Sequence, residues 1–201
     1  MKQRLVGASG LAVSRLGLGT LTWGRETQLD DARPLLRAFV AAGGNLVDTA
    51  AGYAAGDAER MLGRMLRAGD VAREDVVLAT KAGFGIRDGE RRVDTSRAAL
   101  LTDLRGSLRR LGTDHIDLWQ LHAWGQAPLD ESLAAIDTAV TAGDVRYAGV
   151  CNFVGWQTAQ AATWQAAFPG RTPLTSSQVE YSLLARRAEV EVIPAIRAFG
   201  M

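Results

Sequence analysis

What this chain lacks narrows the field first. It has a single cysteine, Cys151, so no intrachain disulfide can staple it. That usage suits a reducing compartment, and a cytoplasmic location is the expectation. The two histidines, His115 and His122, do not stand with Cys151 at any metal-ligand spacing, so no metal site is expected. There is no excess of charge: 23 basic and 22 acidic residues leave a net +1. Such a balance favours neither nucleic acid nor an anionic membrane as partner. No apolar run approaches the roughly 18–20 residues of a membrane span. Met1-Lys2-Gln3-Arg4-Leu5 is not followed by an apolar signal core, and no Asn-x-Ser/Thr acceptor occurs. Two nucleotide signatures are missing too. Gly17-Leu18-Gly19 supplies two glycines of G-x-G-x-x-G, but Thr22 stands at the third and no helix follows promptly. There is no Walker-type loop.

What is present is a chain of 201 residues, 47% hydrophobic, able to bury one sizeable core. One domain over residues 1–201 is expected. Residues 4–14 alternate around Gly7-Ala8-Ser9-Gly10, a hairpin signal. A short strand follows at 15–19. Asp30-Asp31 opens a helix with Leu35, Leu36, Phe39 and Val40 on one face, and Gly43-Gly44 stops it. Five further strands are read at 46–48, 76–81, 116–122, 145–151 and 177–180. Helices are read at 57–66, from Thr95 or Ser96 to Leu111, at 129–142, at 155–167, and from Arg186 or Glu189 to about Gly200. Residues 82–94, rich in glycine and arginine, read as a mobile loop. Six strand-then-helix units imply parallel strands with helical crossovers. With the dinucleotide fingerprint broken, and a hairpin able to plug a barrel floor, the expected fold is α/β, a (β/α)8 barrel of which six units are present.

In such a barrel the chemistry gathers at the C-terminal ends of the strands. Those ends carry Trp23, then Asp48 with Tyr53, then Lys81, His122, Cys151-Asn152 and Gln178. A tyrosine is a weak acid, and a neighbouring lysine cation favours its phenolate. A carboxylate such as Asp48 holds that lysine charged. His122 can donate to a substrate oxygen or relay a proton. The set can protonate a carbonyl oxygen as hydride reaches the carbonyl carbon, and stabilise the developing oxyanion.

Asp48-Thr49-Ala50 with Tyr53, Gly56 and Glu59, then Thr80-Lys81, Leu121-His122, Gly149-Val150-Cys151-Asn152-Phe153 and Gln178-Val179-Glu180-Tyr181-Ser182, stand in order along the chain. In this ordered set the chain resembles the aldo-keto reductases. The resemblance implies NAD(P)H-dependent reduction of aldehydes or ketones to alcohols, with NADPH the usual cofactor and NADH possible. It implies Tyr53 as proton donor, Lys81 lowering its pKa, Asp48 pairing with Lys81, and His122 orienting the carbonyl. It assigns Thr20, Cys151, Asn152, Gln178 and Tyr181 to the cofactor, with Cys151 where the family commonly has serine. Trp23 and Trp124 are implied at the substrate pocket. Small carbonyl compounds are the expected partners, with a monomer for the full-length protein. Strands seven and eight of the family barrel are not among these 201 residues. The expectation is therefore a barrel incomplete at its C-terminus, with open edges and a tendency to self-associate. A cofactor-binding regulatory protein on the same scaffold, or an inactive fragment, are the alternatives. His115 is expected to be a surface turn residue, and Trp119 and Trp156 to be packing residues.

Overall fold

In the computed structural model, which describes residues 1–87 and 89–201, the chain opens with an antiparallel hairpin. Its strands are β1 (Gln3–Leu5) and β2 (Ala12–Ser14). Six strands then form one sheet: β3 (Gly17–Gly19), β4 (Leu46–Asp48), β5 (Val77–Ala82), β8 (Ile116–Leu121), β9 (Val145–Cys151) and β10 (Leu174–Gln178). They lie side by side in that order, every adjacent pair parallel. The connections are α1 (Leu29–Ala41), α2 (Asp57–Arg67), α3 (Arg97–Leu111), α4 (Leu129–Thr141) and α5 (Gly155–Ala166), with α6 (Val192–Ala198) at the end.

Local chemistry sets the helix ends. The Ser96 hydroxyl accepts from the Ala99 N–H and caps α3. Gly112, at φ 70°, ends it in a left-handed turn that a Cβ would oppose. Gly43 and Gly143 follow α1 and α4 with the same positive φ.

The two faces of the sheet bury different layers. Leu78, Trp119, Leu121 and Val150 join the helices in the main core. Ala79 and Leu118 face the other way, against Leu11 of the hairpin, with Val6, Val13, Leu46 and Tyr147 packed around them. The hairpin thus plugs the floor of the concave side, and Asn45 ties it to the sheet by accepting from the Ser14 N–H and donating to the Ala12 carbonyl.

Three sequence expectations need correction. Residues 82–94 are not an irregular loop: β6 (Phe84–Arg87) and β7 (Glu90–Val93) make an antiparallel ribbon. The sixth strand begins at Leu174 and ends at Gln178, because Ser176, Ser177 and Gln178 pair with Gly149, Val150 and Cys151. Before α6 the chain makes a 3-10 turn over Arg187–Glu189 rather than a continuous helix, since Glu191 breaks the helical backbone at φ −136°.

Candidate active site

The C-terminal ends of β4, β5, β8, β9 and β10 bring the predicted polar residues to one side of the sheet. Asp48 ends β4, and Lys81 lies next to the end of β5. Lys81 is 1% exposed, and its Nζ donates to Asp48 Oδ1 at 2.8 Å and Oδ2 at 2.7 Å. It also donates to the Thr49 carbonyl at 2.9 Å and to the Tyr53 hydroxyl at 3.3 Å. Three N–H bonds thus serve four acceptors, and the carboxylate keeps the buried ammonium charged. Because the Tyr53 oxygen accepts from Lys81, its own proton remains for another acceptor.

Burial raises the Tyr53 pKa above its ordinary value; Lys81 acts against that and Asp48 adds to it. Lys81 thus pulls the pKa down, the direction expected from the sequence, but desolvation outweighs the cation. Tyr53 is held as the acid form. Its ring meets that of His122 edge-on at 5.8 Å between centroids.

His122 follows β8 and is buried. Burial first, and the charge of Lys81 second, lower its pKa to about 4. It is neutral at physiological pH and donates from one ring nitrogen only. Among the described residues its Nδ1 has no hydrogen-bond partner. Phe84 packs edge-on to the same ring at 5.0 Å.

Asn152 takes a left-handed backbone at φ 58°, a conformation asparagine tolerates better than most residues. That turn lets its N–H donate to the Gln178 carbonyl at 2.9 Å and its Nδ2 to the His122 carbonyl at 3.0 Å. Cys151 is buried, its thiol pushed up to about 11 by desolvation, and its Sγ lies 3.6 Å from Gln178 Oε1. These side chains border the concave side of the sheet. A cavity of about 450 Å³ there is lined by Asp48, Gln120, Ser176, Gln178 and Tyr181 among others.

Other sequence-predicted residues fall elsewhere. Thr20 is 0% exposed and spends both N–H and hydroxyl on the Asp48 carbonyl, at 3.0 and 3.1 Å. It braces Asp48 from behind and shows no face to solvent. Trp23 is 2% exposed and belongs to the main core. Tyr181 is more than half exposed and donates to Glu189 at 2.7 Å. Trp124 stacks edge-on against Phe153 and Trp156, both at 5.2 Å. Trp119 is fully buried in the core, whereas Trp156 is largely exposed. His115 is not a free surface residue, because Arg73 donates to its carbonyl and to Asp117 in one charged cluster.

Sequence reasoning missed a layer behind the tetrad. Glu59, fully buried, accepts from the Thr80 hydroxyl at 2.6 Å and from Arg110 Nε at 2.7 Å. It thereby fixes the residue before Lys81. A charged residue at an otherwise apolar helical position was the available signal. Phe84 was missed because nothing in the sequence pairs it with His122.

Residues 15–201 match the model of the aldo/keto reductase family. The uncharacterized oxidoreductase YrpG of Bacillus subtilis is 39% identical, covering 100% of this chain and 64% of that protein. A probable voltage-gated potassium channel subunit beta of rice, Oryza sativa, is 33% identical, covering 100% of this chain and 62% of that one. The solved structure of the aldo-keto reductase AKR11C1 from Bacillus halodurans, in its holo form, superposes with TM-score 0.85 at 33% identity, covering 100% of this chain and 64% of that one. The chain belongs to the aldo/keto reductase family. It spans about 64% of the length of YrpG and AKR11C1, and its curled parallel sheet forms the matching part of the (β/α)8 barrel.

Proposed function

We propose that the chain carries the proton-donating side of an NAD(P)H-dependent carbonyl reductase. The observation that carries this reading is Lys81, buried and bonded at once to Asp48 and Tyr53. A nicotinamide carboxamide offers two N–H donors and a carbonyl acceptor, and the side-chain amides of Asn152 and Gln178, each carrying a donor and an acceptor, stand beside Cys151 to meet them. The residues present fit that end of the cofactor, which when bound supplies the hydride.

The chain's own residues do the rest. Tyr53, held protonated by burial, donates its proton to the carbonyl oxygen as charge develops there. Lys81 meets the resulting phenolate with a full positive charge at hydrogen-bond distance, so the acid is weak at rest and assisted on transfer. Neutral His122 directs one N–H at the same oxygen without competing for the proton. Asp48 keeps Lys81 charged, and Thr20 and Glu59 hold the two strand ends in register.

The test is loss of NADPH absorbance with a panel of aldehydes and ketones. Tyr53→Phe is expected to cut the rate by about 100- to 10,000-fold, the usual range for general acid catalysis. An unchanged rate removes Tyr53 from the role. The rice relative named as a channel subunit favours a second reading, a cofactor-binding regulatory protein. Tight NADPH binding with no turnover on any carbonyl would select it.

A further inference from the structure

Tyr53 stands on a turn that the backbone resists. Ala54 and Ala55, side by side, both lie in the left-handed region, at φ 47° and 53°, and Gly56 follows at φ 91°. A Cβ makes that region costly, so alanines stay there only where the surroundings over-determine the chain. Two neighbours do so here. On one side the loop after β3 closes in: a Cβ on Gly24 would lie 3.4 Å from that of Ala54. On the other side the side chain of Arg110, from the last turn of α3, lies across Gly56. A Cβ added to Gly56 would stand 2.8 Å from Arg110 Cδ and 2.9 Å from its Nε.

Arg110 is itself aimed. Its Nε donates to Glu59 Oε2 at 2.7 Å, and its Nη2 to the Ser107 hydroxyl at 3.3 Å. Glu59 lies in the first turn of α2, which begins at Asp57, directly after the strained turn. Its other oxygen takes the Thr80 hydroxyl, one residue before Lys81. One arm from α3 therefore bears on both halves of the proton-transfer pair. It reaches Tyr53 through Gly56, and Lys81 through Glu59 and Thr80. The pair depends on that setting. Lys81 donates to Asp48 and the Thr49 carbonyl at 2.7–2.9 Å, but to the Tyr53 hydroxyl at 3.3 Å, the longest of its contacts. Asp48 and Thr49 precede the turn, so the Tyr53 contact alone changes length when the turn shifts.

We propose that Arg110 is a positioning residue for the reaction: braced by Glu59, it holds the left-handed turn in place and so sets the distance between Lys81 and the Tyr53 hydroxyl. The proposal rests on the carbonyl-reductase reading for its kinetic consequence, while the distance itself has a readout that needs no turnover. Arg110 touches no reacting atom. Without it the two alanines relax toward negative φ and the hydroxyl draws away from Lys81. The phenolate then loses the cation that stabilises it.

The experiment pairs Arg110→Ala with Glu59→Gln, which takes the arm away without stranding a buried carboxylate and leaves an oxygen for the Thr80 hydroxyl. With NADPH and a reducible aldehyde, kcat is expected to fall about 10- to 100-fold with little change in KM. Tyr53 acts protonated, so the rate falls as pH rises through its pKa. With Lys81 farther off, that alkaline limb moves to higher pH. The ionisable groups around the Tyr53 hydroxyl are Lys81, Asp48, His122 and Cys151, and all four are unaltered in the variant. A rate lost through unfolding alone would leave the limb where it stands in the parent chain. Adding Ala54→Gly and Ala55→Gly restores both kcat and the limb, because glycine is at ease at positive φ and the turn no longer needs the arm. If the double variant fails to fold, Arg110→Lys keeps the buried charge pair. The lysine tip must turn back to reach Glu59, which draws the stem off Gly56 and moves the limb the same way. Alkaline titration of tyrosine absorbance needs no turnover, with Tyr53→Phe identifying the step that belongs to Tyr53. An upward shift of that step, reversed by the two glycines, supports the proposal even if no carbonyl is reduced, in which case the reductase reading alone fails. A Tyr53 step that stays put in the variants, or one that the glycines do not bring back, overturns the proposal even if aldehydes are reduced.

Discussion

Lys81 serves four acceptors with three N–H bonds, and Asp48 is its only acidic partner among the described residues. Asp48→Asn removes the counter-charge and leaves an ammonium in a site that is 1% exposed. Breaking a buried pair from one side costs about 3–5 kcal/mol, and a fall of that size is expected in the urea unfolding free energy. A fall below about 1 kcal/mol would mean that water or a lost proton relieves Lys81. His122 gives a pH signature. Its pKa is about 4 in the folded chain against 6.5 for a free imidazole. Below pH 6.5 the unfolded chain takes up a proton that the folded one refuses, so stability falls with pH from 6.5 to about 4. His122→Gln is expected to flatten the pH dependence of the urea midpoint across that window. A variant with the same slope as the parent chain would place the titration elsewhere.

Helices α2 and α3 approach so closely that one contact is backbone to backbone. A methyl on Gly63 would press into the Arg110 carbonyl oxygen and stand 2.7 Å from that of Leu111. Gly63→Ala gains up to about 1 kcal/mol of helix propensity. Prising the helices apart costs about 1–3 kcal/mol. Net destabilisation is expected from chemical unfolding, and a stabilised variant would show that α3 yields freely. The same pair of helices explains what could be read in advance. The strand over 77–82 announces itself by its apolar run, that over 116–121 by apolar residues broken only at Asp117 and Gln120, and the helices by their periodic faces and closing glycines, so β/α alternation was legible. The placing of Asp48, Lys81 and His122 at strand ends was legible because each closes an apolar stretch, and Tyr53 because it sits in the loop just after Asp48. The β6–β7 ribbon was not, because glycine and arginine dilute its alternation. Gly89, with a positive φ of 79°, was the overlooked turn signal. The Arg73 cluster with His115 and Asp117 was hidden because its members lie 42 and 44 residues apart. The strength of burial on Tyr53 is equally invisible in a string of letters, since it depends on the whole layer packed around the ring.

At the scale of the molecule, the sheet ends at β3 on one side and β10 on the other, and among the described residues no strand pairs with either outer edge. Between them the concave face shows Val6, Leu46, Leu118, Val192 and Ile196 around a cavity of about 450 Å³. Unpaired edges beside apolar surface invite pairing between chains. Sedimentation of this chain is expected to give a weight-average mass that rises above 21.5 kDa with concentration. A constant mass across the range would show that the edges are protected in solution. The ribbon root has a consequence of another kind. Gly83 accepts from the Asp94 N–H at 3.0 Å and donates to Asp103 at 3.0 Å, so one residue closes the ribbon and ties it to α3. The segment beyond that clasp is a cassette. Whatever lies beyond the clasp can be lengthened, shortened or rewritten by evolution or by a designer while Lys81, two residues upstream, keeps its address, so the two ends of one continuous strand are free to change at different rates.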